Sequence, residues 1–66
     1  MHVTINGERR ELASGATVDD AVTTLGAPRS GVAVAVDGEV VPRADWVRLR
    51  LADGSEVEVL TAVQGG

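Results

Sequence analysis

The amino-acid sequence predicts a two-layer α+β domain in which one helix packs on a mixed sheet of four to five strands. Two observations support this class. Several short segments alternate apolar and polar residues with the period of a strand, and one segment between them has the period of a helix. Asn-Gly and Asp-Gly pairs, the strongest short signals for hairpins, separate the strand-like segments. A single helix in such a chain has only the sheet to pack against.

The first two strands are predicted to form a hairpin around Asn6-Gly7. Residues 2–6 alternate polar and apolar side chains, as a half-buried strand does. Residues 9–13 would return antiparallel to them, and their charged side chains suit an edge of the sheet, where charge discourages pairing with other chains.

The helix is predicted to begin at Thr17 and to end at Gly26. Thr17 and Asp20 have the spacing of a capping box at a helix start. Gly26 suits the left-handed residue that ends a helix, and Pro28 prevents the helix from resuming. The positions i, i+3, i+4 and i+7 form one apolar stripe: Val18, Ala21, Val22 and Leu25.

Three further strands are predicted in the second half of the chain. Residues 31–36 alternate large and small apolar side chains, which indicates a central strand with both faces shielded from water. Asp37-Gly38 would turn the chain into residues 39–41, where Pro42 ends the pairing because it lacks an N–H donor. Residues 56–61 would form the last strand, with Val57 and Val59 facing inward and Glu58 and Leu60 outward.

Residues 43–52 fit either a short helical turn or a brief strand. An irregular segment that places Trp46, the single aromatic residue, on one end of the core is favoured. Asp53-Gly54 then predicts another turn before the last strand.

Length and composition limit the classes of function. A chain of 66 residues holds one small domain and has no room for a catalytic cleft of its own. It has no cysteine, no evident metal cluster and a net charge of −4, which argues against nucleic acid as the main partner. We find neither a signal-peptide pattern nor an apolar run of membrane-spanning length, so we expect a cytoplasmic protein that is monomeric by itself.

The last residues suggest where the chemistry lies. We divide the chain into a folded domain of residues 1–61 and a flexible tail of residues 62–66, which ends in Gly65 and Gly66. Glycine has no Cβ, so such a tail fits a narrow channel in another protein and presents the Gly66 carboxyl there. A frayed chain end without a role is the alternative. The chain also has no lysine, so an activated tail finds no ε-amine on its own chain or on a copy of it.

With these elements and this tail, the chain resembles the ubiquitin-like β-grasp fold and, within it, the ThiS family of sulfur carriers of thiamin thiazole biosynthesis. The resemblance covers essentially the whole chain. The segments that carry it are residues 34–43, Trp46, residues 53–54, residues 57–59 and residues 62–66. Two positions depart from the family pattern: Ala44, where Ser is frequent, and Ser55, where Asp is usual. Both concern turns.

The resemblance implies a function for the tail. Gly66 would be the acyl site and Gly65 the spacer that lets it thread. An E1-like adenylating enzyme of the ThiF type would use ATP to convert the Gly66 carboxylate to an acyl adenylate. Sulfur from a cysteine desulfurase would then give a thiocarboxylate, which a thiazole synthase of the ThiG type uses. The chain would be a co-substrate, not an enzyme, and would bind no cofactor or metal itself.

Other residues have weaker signals. Leu60, Val63 and Gln64 lie beside the predicted acyl site and are candidate contacts for partner enzymes. Glu39, Glu56 and Glu58 are candidates for steering a basic partner surface, although a solvated face is the preferred interpretation. His2, the single histidine, is more simply an exposed strand residue than a catalytic group or ligand. Asp19 and Asp20 suit a helix start better than an acid–base pair.

Three alternative functions remain open. The small subunit of molybdopterin synthase has the same fold and tail chemistry. A ubiquitin-like modifier would join Gly66 to lysines of other proteins. A β-grasp binding module with an idle tail would not use Gly66 at all.

Overall fold

Residues 1–28 and 30–61 are described by a computed structural model, and they form a five-stranded sheet packed on one α-helix. The predicted α+β class with a mixed sheet is confirmed. In chain order the elements are β1 (His2–Ile5), β2 (Glu8–Glu11), α1 (Val18–Leu25), β3 (Val32–Val36), β4 (Glu39–Val41), a 3-10 helix (Arg43–Asp45) and β5 (Glu56–Thr61).

The strands lie in the order β2-β1-β5-β3-β4, so the last strand occupies the centre of the sheet. β5 runs parallel to β1, with Ile5 opposite Val57, and antiparallel to β3, with Val34 opposite Val59. The outer strands β2 and β4 are joined to β1 and β3 as antiparallel hairpins. The prediction that the charged return strand forms an edge is therefore confirmed.

Both hairpins use the same kind of two-residue turn. Asn6 and Gly7 have φ values of 52° and 82°, and Asp37 and Gly38 have 50° and 87°. Positive φ at both central residues is the signature of the type I′ turn, whose twist matches that of paired strands. Asn, Asp and Gly tolerate this conformation, which explains why the sequence identified both turns.

The helix has the start, stop and buried face that the sequence predicts. The Thr17 hydroxyl accepts from the Asp20 N–H at 3.2 Å, and the Asp20 carboxylate accepts from the Thr17 N–H at 2.9 Å. Gly26 ends the helix with a φ of 78°. Of the predicted stripe, Val18, Ala21 and Val22 are fully buried, and Leu25 packs at the margin of the core.

Trp46 lies at one end of the core, as predicted, and is only 2% exposed. Its indole Nε1 donates to the carbonyl oxygen of Val41 at 3.0 Å. The chain reaches this position through the 3-10 helix Arg43–Asp45 and then returns through an isolated bridge between Thr17 and Arg50. The favoured irregular segment over residues 43–52 thus contains a short helical turn.

The turn at residues 52–55 contains Ser55, one of the two positions that depart from the pattern of the family that the sequence resembles. The Ser55 hydroxyl accepts from the Ala52 N–H at 3.0 Å, and the Ser55 N–H donates to the Ala52 carbonyl at 3.0 Å. This departure from the family pattern therefore preserves a hydrogen-bonded turn.

The prediction that both faces of residues 31–36 are shielded from water is wrong. The strand is bracketed by β5 and β4, but Ala33 is exposed and Val34 is its only fully buried residue. The reason is that the helix packs on one face of the sheet, while no described element packs on the other. We call this uncovered side the open face.

Candidate functional site

Most of the predicted site lies outside the described residues. These are the acyl site Gly66, the spacer Gly65 and the candidate contacts Val63 and Gln64, all within residues 62–66. Their roles stay predictions, and so does the boundary between a domain of residues 1–61 and a tail. The described structure does show what carries the tail: β5, the central strand, which ends at Thr61.

Two turn residues hold β5 through their side chains. The Asn6 carboxamide donates from Nδ2 to the Val59 carbonyl at 3.1 Å and accepts at Oδ1 from the Val59 N–H at 2.8 Å. At the other end of the strand, the Asp37 carboxylate accepts from the Glu56 N–H at 3.0 Å, and the Asp37 N–H donates to the Glu56 carbonyl at 2.8 Å. β5 is therefore fixed from both hairpins as well as by its neighbouring strands.

Sequence reasoning assigned Asn6 and Asp37 to turns and missed this second role. A signal was present, because Asn or Asp at the first position of each turn has a short polar side chain able to reach a neighbouring backbone. The sequence did not show that β5 is the strand that lies within hydrogen-bonding distance of these two side chains.

Leu60 points to the open face, as predicted, and is 68% exposed. It lies directly opposite the exposed Ala33 of β3. Along the same face, Ala35 lies opposite Val40 of β4, and the Val40 side chain is 76% exposed. Directly opposed side chains are about 5 Å apart. We call these four residues the open-face stripe: Ala33, Ala35, Val40 and Leu60.

Acidic side chains border the open-face stripe. Glu56 and Glu58 alternate with the buried Val57 and Val59, so they share a face with Leu60. Glu39 lies opposite Val36, and Val36 is on the face of the sheet that packs against the helix. Glu39 is therefore on that face and not on the open face. The open face therefore combines an apolar stripe with the carboxylates of Glu56 and Glu58, while Arg9 and Glu11 of β2 lie on the same face nearer the sheet edge. The part around the stripe suits an apolar partner surface with basic residues near Glu56 and Glu58.

His2 and Asp20, for which the sequence favoured a structural over a catalytic role, make structural hydrogen bonds. The His2 backbone N–H donates to the Asp53 carboxylate at 2.7 Å, and the side chain belongs to an exposed position on β1. Asp20 serves the capping box. Within residues 1–28 and 30–61, no group of three or more His, Cys, Asp or Glu side chains is placed to hold a metal ion. No helix in the same ranges has the length and apolarity to cross a membrane.

A single helix on a five-stranded mixed sheet, with an apolar and acidic open face leading to a Gly-Gly sequence, defines the class of ubiquitin-like β-grasp carrier domains. The family model of the ThiS family matches residues 3–66, and the chain belongs to this family.

Two curated relatives and two solved structures support this assignment. The chain is 27% identical to the sulfur carrier protein ThiS of Escherichia coli, with both chains covered completely. It is 32% identical over 66 residues to a thiazole synthase of Paramagnetospirillum magneticum, of whose length it spans 20%. A crystal structure of the thiamine biosynthesis protein ThiS from Geobacter metallireducens matches with a TM-score of 0.82 at 29% identity, covering both chains fully. A solution structure of a thiamine biosynthesis protein from the same organism gives 0.81 at 30% identity, covering all of this chain and 88% of that one.

These findings confirm the predicted family, the β-grasp fold and the class of function, a sulfur carrier of thiamin biosynthesis. A small carrier agrees with the expectation that the chain is not itself an enzyme.

Proposed function

We propose that the chain carries sulfur on the carboxyl group of Gly66. An E1-like adenylating enzyme of the ThiF type binds the domain and uses ATP to form the Gly66 acyl adenylate. Sulfur that originates from a cysteine desulfurase then converts the acyl group to a thiocarboxylate. A thiazole synthase of the ThiG type takes this sulfur into the thiazole ring. The reactions take place in the cytoplasm, where the chain is monomeric until it meets an enzyme.

The chemistry explains why a partner must activate the tail. An α-carboxyl group has a pKa near 3.5, so at neutral pH it is an anion and a poor target for a sulfur nucleophile. Its oxygen attacks the α-phosphorus of ATP and releases pyrophosphate. The outer sulfur of a protein persulfide then attacks the acyl carbon, and AMP leaves with the former carboxylate oxygen. A thiol from a partner protein or a small-molecule reductant cleaves the S–S bond of the resulting acyl disulfide, is itself oxidised to a disulfide, and leaves the sulfur on Gly66 as the thiocarboxylate. Because the chain has no cysteine, the terminal acyl carbon is where it can hold the sulfur.

The observation that carries this proposal is the attachment of the Gly-Gly sequence to the central strand. β5 lies between β1 and β3, and its Val59 and Glu56 N–H groups donate further hydrogen bonds to the side chains of Asn6 and Asp37. Leu60 projects from the end of this strand on the open face. An enzyme that binds the open-face stripe would therefore hold the domain a few residues before Gly66. This restricts the positions that the Gly66 carboxyl can occupy relative to the active site.

The similarity to a thiazole synthase supports one partner in particular. The P. magneticum protein contains, within a polypeptide about five times as long, a segment that resembles this entire chain. Two activities joined in one polypeptide meet at a high effective concentration. We infer that a thiazole synthase is one of the partners of this chain.

The test is reconstitution with ATP, a ThiF-type enzyme, a cysteine desulfurase, cysteine and dithiothreitol as the thiol reductant, followed by intact mass spectrometry. We expect a mass gain equal to the exchange of one oxygen for sulfur. A variant without Gly66 should show no gain while it keeps the wild-type thermal unfolding temperature. An unchanged wild-type mass under conditions in which the E. coli carrier is converted would contradict the proposal.

Complementation then separates the pathways. A strain that lacks its own ThiS and requires thiamin should grow without it when this chain is expressed. Rescue of a molybdenum-cofactor mutant in place of the thiamin auxotroph would favour the molybdopterin synthase alternative. Isopeptide-linked adducts on other proteins, without a thiocarboxylate, would favour the modifier alternative.

A further inference from the structure

A second surface feature lies on the helix side of the sheet edge and borders the open face at Val40. A groove of about 590 Å³ runs between β4 and the segment that follows the 3-10 helix. Val36, Val41 and Leu49 supply apolar side chains to it, and Glu39, Asp45 and Arg48 supply charges at its rim. Leu49 is 41% exposed, so its side chain is accessible from the groove. The function proposed above uses none of the groove residues except Val40, which belongs to both surfaces.

The backbone beside the groove has unused hydrogen-bonding groups. β4 is an outermost strand of the described sheet, and Val36 and Glu39 close the two-residue turn that joins it to β3. In a two-residue hairpin the pair that flanks the turn, here Val36 and Glu39, is a hydrogen-bonded pair. Hydrogen-bonded and non-hydrogen-bonded pairs alternate along antiparallel strands, so Ala35 and Val40 form a non-hydrogen-bonded pair. The N–H and C=O of Val40 therefore point outward, away from β3. They offer one donor and one acceptor to an added strand.

The neighbours of Val40 decide which side chains an added strand would need. Glu39 and Val41 flank Val40 and share the side of the sheet that faces the groove, because alternate residues of a strand share a face. In an added antiparallel strand, the residue opposite Val41 comes first and the residue opposite Glu39 follows two positions later. Both would point to the groove side.

Charge distinguishes the two positions. Asp45 and Arg48 form an ion pair at 3.5 Å on the rim. The Glu39 carboxylate, in contrast, has no hydrogen bond or ion pair with any residue that the structure describes. The groove thus retains one uncompensated negative charge, at Glu39, beside an apolar floor at Val41 and Leu49.

We propose that this groove binds an extended segment of a partner protein, added antiparallel to β4, with the pattern apolar-x-Lys or apolar-x-Arg. The apolar side chain fills the groove beside Val41, and the basic side chain pairs with Glu39. The backbone of the middle residue bonds to Val40. A second copy of this chain is a poorer occupant, because each copy has a net charge of −4.

The experiment is an NMR titration of the isotope-labelled chain with a capped peptide, Thr-Thr-Ile-Thr-Arg-Thr-Thr. Its matched control has Asp in place of Arg. We expect saturable shifts at the Val40 amide and at residues 45–49, with the Arg peptide binding about three- to tenfold more tightly, as expected for an exposed charge pair replaced by a repulsive one. In Glu39→Lys the order of the two peptides should reverse.

Two further variants test whether the peptides bind in the groove or on the open face. Leu49→Asp removes apolar floor and should weaken both peptides, whereas Leu60→Asp, on the open face, should leave both affinities unchanged. All variants are compared only if their amide spectra show the wild-type fold. Absence of saturable shifts, equal binding of both peptides, or shifts centred on Leu60 would each overturn the proposal. Because no step involves Gly66, a failure here leaves the sulfur-carrier assignment untouched.

Discussion

The carboxamide of Asn6 bonds to both backbone groups of Val59, with distances of 3.1 Å to its carbonyl and 2.8 Å from its N–H. The preceding rung of the β1–β5 ladder is the backbone bond from the Asn6 N–H to the Val57 carbonyl, at 2.9 Å. Since Asn6 has a φ of 52° and turns away into the hairpin, its side chain supplies the next rung in place of the main chain. The central strand is therefore bonded to the first hairpin beyond the point where β1 ends.

Replacing Asn6 separates this side-chain role from the turn role. Asn6→Gly keeps a residue suited to positive φ but loses both bonds, and we expect the free energy of unfolding to fall by about 1–3 kcal/mol. Asn6→Ala should cost about 1 kcal/mol more, because alanine adopts this φ with strain. Urea unfolding measures both values. Faster hydrogen exchange at the Val59 amide of the glycine variant identifies the lost bond, and unchanged exchange there would contradict its importance.

The Trp46 ring system fills space in the core, and its indole N–H makes a hydrogen bond there. Trp46→Phe removes the donor to the Val41 carbonyl and part of the ring system, so we expect the free energy of unfolding to fall by about 1–3 kcal/mol. Trp46→Ala should cost about 3–5 kcal/mol, which is most of the stability of so small a domain. Thermal unfolding followed by circular dichroism tests both. A phenylalanine variant as stable as wild type would show that the indole bond contributes nothing net.

Variants of Thr17 test how much the capping box stabilises the start of the helix. Thr17→Ala removes the acceptor for the Asp20 N–H and should lower the free energy of unfolding by about 0.5–2 kcal/mol. Thr17→Ser keeps the hydroxyl and serves as the control, with a much smaller expected loss. Chemical denaturation of the three proteins side by side gives the comparison, and equal losses for serine and alanine would rule out the cap as the cause.

The open-face stripe makes a prediction about function. Leu60→Glu changes an exposed side chain, so its stability should stay within about 0.5 kcal/mol of wild type. Its adenylate-dependent conversion to the thiocarboxylate should slow at least several-fold, because a central apolar contact is lost. Val47→Glu is the matched control, since Val47 is similarly exposed, at 64% against 68% for Leu60. Equal rates for the two variants would remove Leu60 from the interface.

Sequence reasoning succeeded where a local signal suffices. The tight turns at Asn6-Gly7 and Asp37-Gly38, the capping box at Thr17 and the strand over residues 56–61 were all predicted, because each depends on neighbouring residues. The structure adds that both turns are of type I′. The placement of Trp46 followed because a single aromatic residue in a small apolar chain is strongly driven to the core.

It failed where the answer depends on elements distant in the chain. The alternation of Val and Ala in β3 predicted two shielded faces, but shielding of the second face requires an element that the described chain does not supply, and Ala33 is exposed. The bonds from Asn6 to Val59 could not be predicted either, because 53 residues separate the partners and only the strand order brings them together. The chemistry of residues 62–66 was reached by resemblance and stays to be tested at Gly66.

The central position of β5 has a consequence for how the chain folds during synthesis. The two hairpins, residues 2–11 and 32–41, contact each other in the sheet only through a strand that is translated after both. Until residues 56–61 leave the ribosome, each hairpin has an unpaired inner edge, and an isolated hairpin is at best marginally stable in water. The sheet therefore closes only after β5 has been synthesised, and a truncated product that lacks β5 would expose two unpaired strand edges to other chains.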